Sequence, residues 1–168
     1  GGMGAVFRTI PTKVPSMNEL SLPPVIKNLT RQRRGLILVT GPTGSGKSTT
    51  LAAMINFINN ERKGHIITIE DPVEYIHKSI NCLFSQREVG THVESFSRAL
   101  MSGLREDPDV ILVGEMRDPE TIHLAITAAE IGILVFATLH TNGAAASIDR
   151  IINAFPEGEE PYVRTMLS

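Results

Sequence analysis

The chain has 168 residues, 42% apolar and 20% charged, a balance that supports a packed core of about one domain and excludes a wholly disordered protein. One cysteine, Cys82, excludes an internal disulfide and a cysteine-cluster zinc site, and a net charge of −2 gives no global attraction to nucleic acid or acidic lipid. The longest apolar run, Ile131–Leu139, falls well short of the roughly 18 residues of a membrane span, and no basic-then-apolar leader opens the chain, so the sequence predicts a soluble, cytoplasmic domain.

Residues 1–35 read as a lead-in with one short helix, and residues 36–168 as the core. Ala5–Ile10 reads as extended, while Pro11, Pro15, Pro23 and Pro24 forbid a continuous helix. Pro23 and Pro24 suit the start of a helix that runs to Arg31. The first apolar run, Leu36–Thr40, does not alternate with polar residues, which is the pattern of a strand buried on both faces. Leu51, Met54, Ile55 and Ile58 follow at helical spacing, then a second strand-like run, Ile66–Glu70. Phe96, Ala99, Leu100 and Gly103 mark the next helix. Gly103 costs it about 1 kcal/mol relative to alanine, so close packing against a neighbour is expected there. Val110–Gly114 is the third strand. Asp118-Pro119 reads as an N-cap and first helical position for the helix of Ile122, Ala125, Ile126 and Ala129. Leu134–Leu139 is the fourth strand, and Ile148, Ile151, Ile152 and Phe155 mark a last helix.

Alternating strands and helices predict an α/β fold with a mostly parallel sheet flanked by helices. Such sheets bind ligands beyond the carboxyl ends of their strands, so the residues after each apolar run are the place to look for chemistry. After the first run come Gly41, Pro42, Thr43, Gly44, Ser45, Gly46, Lys47, Ser48 and Thr49, a full G-x-x-x-x-G-K-[ST] loop between a strand and a helix. Its glycines let backbone N–H groups point at phosphate oxygens, and the helix N-terminus adds partial positive charge. The pattern implies ATP with Mg²⁺: Lys47 for the β- and γ-phosphates and the Ser48 hydroxyl for the metal.

Carboxylates are needed opposite such a loop, for Mg²⁺ and for the attacking water. Glu115 follows the third run, one residue later than the Asp usual at that point, whose place Gly114 takes. Glu70, Asp71 and Glu74 follow the second. Asp71-Pro72 breaks the strand, and Glu74 is set back at a distance suited to a general base. His140 ends the fourth run, placed to sense the γ-phosphate or meet an adjoining subunit. His65, His77, His92 and His123 read as surface or packing residues. Phosphoryl transfer also needs a charge-neutralising arginine. Arg87, Arg98, Arg105 and Arg117 are candidates among which spacing does not choose. The run Arg31–Arg34 reads as the basic end of the short helix.

Several motifs in order resemble the type II/type IV secretion ATPases, from about Ala5 to Ser168. They are the Walker A loop Gly41–Ser48, an Asp box Thr68–Glu74, the segment Gln86-Arg87-Glu88, Leu104–Asp109 leading into an atypical Walker B at Gly114–Asp118, and a His box Ala128–Arg150 centred on Thr138–Asn142. The resemblance implies a RecA-like P-loop NTPase core of a motor that assembles as a homohexamer and moves an inner-membrane pilus platform protein. It implies Glu74 as the catalytic glutamate, Glu115 as the Walker B acid and His140 as a coupling or γ-phosphate-sensing residue. It places the motor in the cytoplasm, peripheral to the inner membrane through its partners, with no nucleic acid. Met116 tilts the resemblance towards the branch that retracts type IV pili in twitching motility, where assembly and secretion members more often carry isoleucine. Ile133 replaces a second His-box histidine, whose role is therefore not carried over. The family's N-terminal PAS-like domain and its C-terminal end are absent, so a core fragment is expected, weakly active alone. The alternatives are a pilus-assembly or type II secretion ATPase, a RecA-like nucleic-acid motor, and a module that holds nucleotide only as a structural ligand.

Overall fold

The computed structural model describes residues 10, 11 and 13–167. The extended reading of Ala5–Ile10 lies outside them except for Ile10, which is in no regular element. Among the described residues, five strands, β1 (Gly35–Thr40), β2 (Gly64–Glu70), β3 (Cys82–Glu88), β4 (Val110–Val113) and β5 (Leu134–Leu139), form one sheet in the order β1-β5-β4-β2-β3. Every pairing is parallel. The helices are α1 (Pro24–Thr30), α2 (Lys47–Glu61), α3 (Phe96–Gly103), α4 (Pro119–Glu130), α5 (Ala144–Ile152) and α6 (Glu160–Met166).

Three of the four non-alternating apolar runs are inner strands, while the first, β1, is an edge strand, half-buried along its length and not buried on both faces as its pattern predicts. The three inner strands are packed on both sides, so both sets of alternating side chains are buried. Ile66, Val110, Leu112, Leu134 and Phe136 face α2 and meet Leu51, Met54, Ile55 and Ile58, together with Met17 of the lead-in. Ile67, Ile69, Ile111, Val113, Val135 and Ala137 face the other way, onto Leu100 of α3, Ile122 and Ile126 of α4, Ile151 of α5 and Val163 of α6.

Local signals placed several boundaries correctly. Asp118 caps α4, accepting from Thr121 N–H at 2.8 Å and Thr121 Oγ1 at 2.7 Å. Gly103 is buried where an added Cβ would lie 3.3 Å from Ile67 Cδ1, the close packing expected of it. Other signals misled. β3 was not expected: it is an edge strand of mixed polarity, Leu83 is exposed, and it has no apolar run to announce it. α6 was not expected either. Phe155 falls outside α5, which ends at Ile152, and its ring meets that of His123 instead, 5.6 Å between centroids. Arg31 is the C-cap of α1, but its side chain pairs with Glu61 at 2.7 Å and lies over the Phe57 ring at 5.3 Å, joining α1 to the end of α2.

The register levels the carboxyl ends. Thr40 stands opposite Leu139, Ala137 opposite Val113, and Val113 opposite Ile69. Gly114, just past the end of β4, donates to Ile69 O at 2.7 Å, and an added Cβ would lie 3.0 Å from that oxygen and 3.2 Å from Glu70 Cα. Both neighbours are backbone atoms, which must shift by a few tenths of an ångström to admit a side chain at this position. Gly114→Ala is therefore expected to destabilise by roughly 1–3 kcal/mol in a urea titration, the usual cost of overpacking. Unchanged stability would show that the two strands can part.

Candidate active site

β1 delivers the chain into the glycine loop, and α2 begins at Lys47 with Gly46 as its N-cap in the left-handed region, φ 90°. Gly41 has φ 145°, a backbone conformation that side-chain-bearing residues rarely adopt, so the loop takes this path because residue 41 is glycine. No side chain caps α2 and no acidic residue sits in its first turn, which leaves the positive end of the helix dipole to an anion. Lys47 folds back over the loop, its Nζ donating to Gly41 O at 2.9 Å and Pro42 O at 3.0 Å. Ser48 is exposed beside it.

A cleft of about 120 Å³ opens at this rim. Lys47, Ser48, Glu70, Asp71, Glu74, Glu115 and His140 all line it, so the side chains expected at four separate strand ends share one cavity. Glu115 is held in place from both sides. Met116 N–H donates to Thr138 O at 3.1 Å, and Thr138 Oγ1 donates back to Gly114 O, which pins the segment after β4 to β5. Arg117 Nη2 lies 2.8 Å from Glu115 Oε2, and His140 Nε2 lies 3.3 Å from Glu115 Oε1. The hydrogen bond from Arg117 holds the Glu115 carboxyl below its ordinary range, and the charges of Arg117 and His140 add to it. Glu70 is shifted the other way: burial raises its pKa, although Thr68 Oγ1 donates to it at 2.8 Å. Glu74 follows on an irregular segment, where its N–H donates to Glu70 Oε2 at 3.3 Å. Tyr75 also lines the cleft, its hydroxyl 3.2 Å from Thr49 Oγ1 on the first turn of α2.

The other expected positions sort differently. Arg87 is tied to Glu106 and to Ala99 O, and Arg98 pairs with Glu94 at 3.3 Å. Arg105 is exposed on the groove beside α3. Of the four arginine candidates only Arg117 touches a cleft carboxylate in the structure. His77 does pack, stacked on Phe84 with centroids 5.0 Å apart, but its ring also lines the cleft. Sequence reading missed that, because His77 lies well past the end of β2, in a segment whose path only the fold sets.

Burial pushes the His77 imidazole from 6.5 down to about 4. The folded chain therefore keeps it neutral over a range where the unfolded chain binds a proton. Its contribution is fully present above pH 6.5 and lost as pH falls to about 4, a loss of about 3 kcal/mol. His77→Phe should flatten the stability curve over that interval. Urea titrations of variant and wild type that run parallel there would refute this.

Among the described residues, no group of three His, Cys, Asp or Glu side chains could hold a metal by itself. The Ser48 hydroxyl and the Glu115 carboxylate are hard oxygen donors that fit Mg²⁺ carried in on phosphates. No helix among the described residues is long and apolar enough to cross a membrane.

A family model described as Type II/IV secretion system protein matches residues 11–155. The chain belongs to the type II/IV secretion system protein family. Within it, the chain is 62% identical to a twitching motility protein of Neisseria gonorrhoeae, over 99% of this chain and 45% of that one. It is also 62% identical to a type IV pilus retraction ATPase, PilT, of Pseudomonas aeruginosa, over 99% of this chain and 48% of that protein. The crystal structure of a pilus retraction motor PilT with bound ADP superposes with a TM-score of 0.92 at 54% identity, covering 95% of this chain and 47% of that one. The fold is thus the RecA-like core of this family, and the chain spans about half the length of the relatives it matches.

Proposed function

We propose that this chain is the ATP-hydrolysing core of a motor that retracts type IV pili. The observation that carries the reading is the meeting of Lys47, Glu74, Glu115 and His140 in one cleft at the end of a glycine loop. Identity of 62% to proteins named for twitching motility and pilus retraction supports the biological role.

The backbone N–H groups of residues 43–46 and the dipole of α2 bind the phosphates. Lys47 leaves its loop carbonyls to reach the β- and γ-phosphates. Ser48 and Glu115 would hold Mg²⁺, which when bound neutralises charge on the phosphate oxygens. Glu74 takes a proton from the attacking water, whose oxygen bonds to the γ-phosphorus as the bond to the β-bridging oxygen breaks, giving ADP and phosphate. His140 couples the two halves of the site. It lies 3.3 Å from Glu115 Oε1 in this structure, and a bound γ-phosphate would compete for it. The full-length protein works as a homohexamer on an inner-membrane pilus platform protein, at the cytoplasmic face and without nucleic acid, and the isolated core hydrolyses ATP weakly.

A strain lacking the gene tests the direction of movement. Pili still made with twitching lost is the expected phenotype. Loss of pili would assign the motor to assembly.

A further inference from the structure

Residues 71–81 form no helix or strand, yet they carry Glu74. Irregular segments hold a catalytic group loosely unless something fixes them. Here β3 does. Gln86 and Glu88 lie two residues apart and so share one face of the strand. Glu88 Oε2 accepts the Val73 N–H at 2.9 Å, and its other oxygen accepts from Thr91 Oγ1 at 2.8 Å. Gln86 Oε1 accepts the His77 N–H at 2.8 Å, while Gln86 Nε2 donates to Tyr75 O at 2.9 Å and reaches Glu70 Oε1 at 3.5 Å. The residues immediately before and after Glu74 are thus held by two side chains of a single strand. Arg87, between them, is tied to Ala99 O at 3.3 Å and to Glu106, which anchors β3 to the α3 layer.

We propose that Gln86 and Glu88 form a two-point clamp that sets the position of Glu74 over the glycine loop, and so act as positioning residues for hydrolysis. This rests on the reading of Glu74 as general base. The bond from Val73 N–H, with that from Thr91, lowers the pKa of the Glu88 carboxyl and keeps it an acceptor.

The test is steady-state ATPase activity and binding of a fluorescent ADP analogue in the full-length protein, for Gln86→Met, Glu88→Leu, Glu88→Gln and Glu74→Gln. Gln86→Met and Glu88→Leu should lower kcat roughly ten- to a hundredfold with KM and ADP affinity within about twofold of wild type. Glu88→Gln keeps an oxygen for the Val73 N–H and should recover most of kcat. Gln86→Met preserves side-chain length and is the variant least disturbing to folding. Its second signature is faster amide exchange at Val73, Glu74 and His77, and unchanged exchange would overturn the clamp. Wild-type kcat in Gln86→Met and Glu88→Leu beside an inactive Glu74→Gln overturns the clamp and leaves the base in place. Parallel losses of ADP affinity and kcat overturn it as a general structural effect. Normal turnover in Glu74→Gln removes the base reading and the clamp with it.

Discussion

Lys47→Ala is expected to lower ATP turnover of the full-length protein by roughly 10²–10³, the cost of removing one preorganised charge from a developing phosphoryl centre. Lys47 is the cation of the loop itself, and its present bonds are to loop carbonyls that water can satisfy when it is gone. It also lies outside both core clusters, so the fold should survive. The loss should therefore appear in nucleotide binding and in phosphate release, with the urea midpoint little changed. Fluorescent-nucleotide titration and a phosphate-release assay read the two effects separately. Wild-type turnover would show that the phosphates lie elsewhere, and the motor reading would fail with it.

Glu74→Gln should do the opposite to binding. The amide keeps the shape of the side chain and the backbone bond to Glu70, and no positive charge in the loop is touched. ADP affinity should stay at the wild-type level while kcat falls roughly 10²–10⁴, the usual worth of a positioned general base. Separating the two effects identifies the residue that takes the proton. Hydrolysis at the wild-type rate would pass that role to another cleft carboxylate, Glu70 or Asp71. A fall in affinity of the same size as the fall in kcat would make Glu74 a binding residue.

The clamp residues illustrate what kind of information a sequence withholds. Gln86-Arg87-Glu88 stands out as a motif, yet no spacing within the chain says that its side chains meet residues 73–77. That contact exists because β3 pairs with β2 in parallel, which brings the loop between them back across the strand ends. The strand itself was hidden for a related reason. At the sheet edge β3 is only partly buried, so its polar residues are free to bind loops, and they carry no periodic signal.

The linear chain by itself determined the glycine loop, the alternation of four apolar strands with helices, and the acids and histidine at the ends of β2, β4 and β5. Those features are local: a strand buried on both faces must be continuously apolar, and a phosphate loop must place glycines and a lysine at fixed separations. Only the tertiary structure decided that Arg117 and His140 share Glu115, that Gly114 lies tight against the backbone of Ile69 and Glu70, and that Gln86 and Glu88 hold the segment bearing Glu74. These are relations between residues brought together by the register of neighbouring strands, and register is settled by packing across the whole sheet.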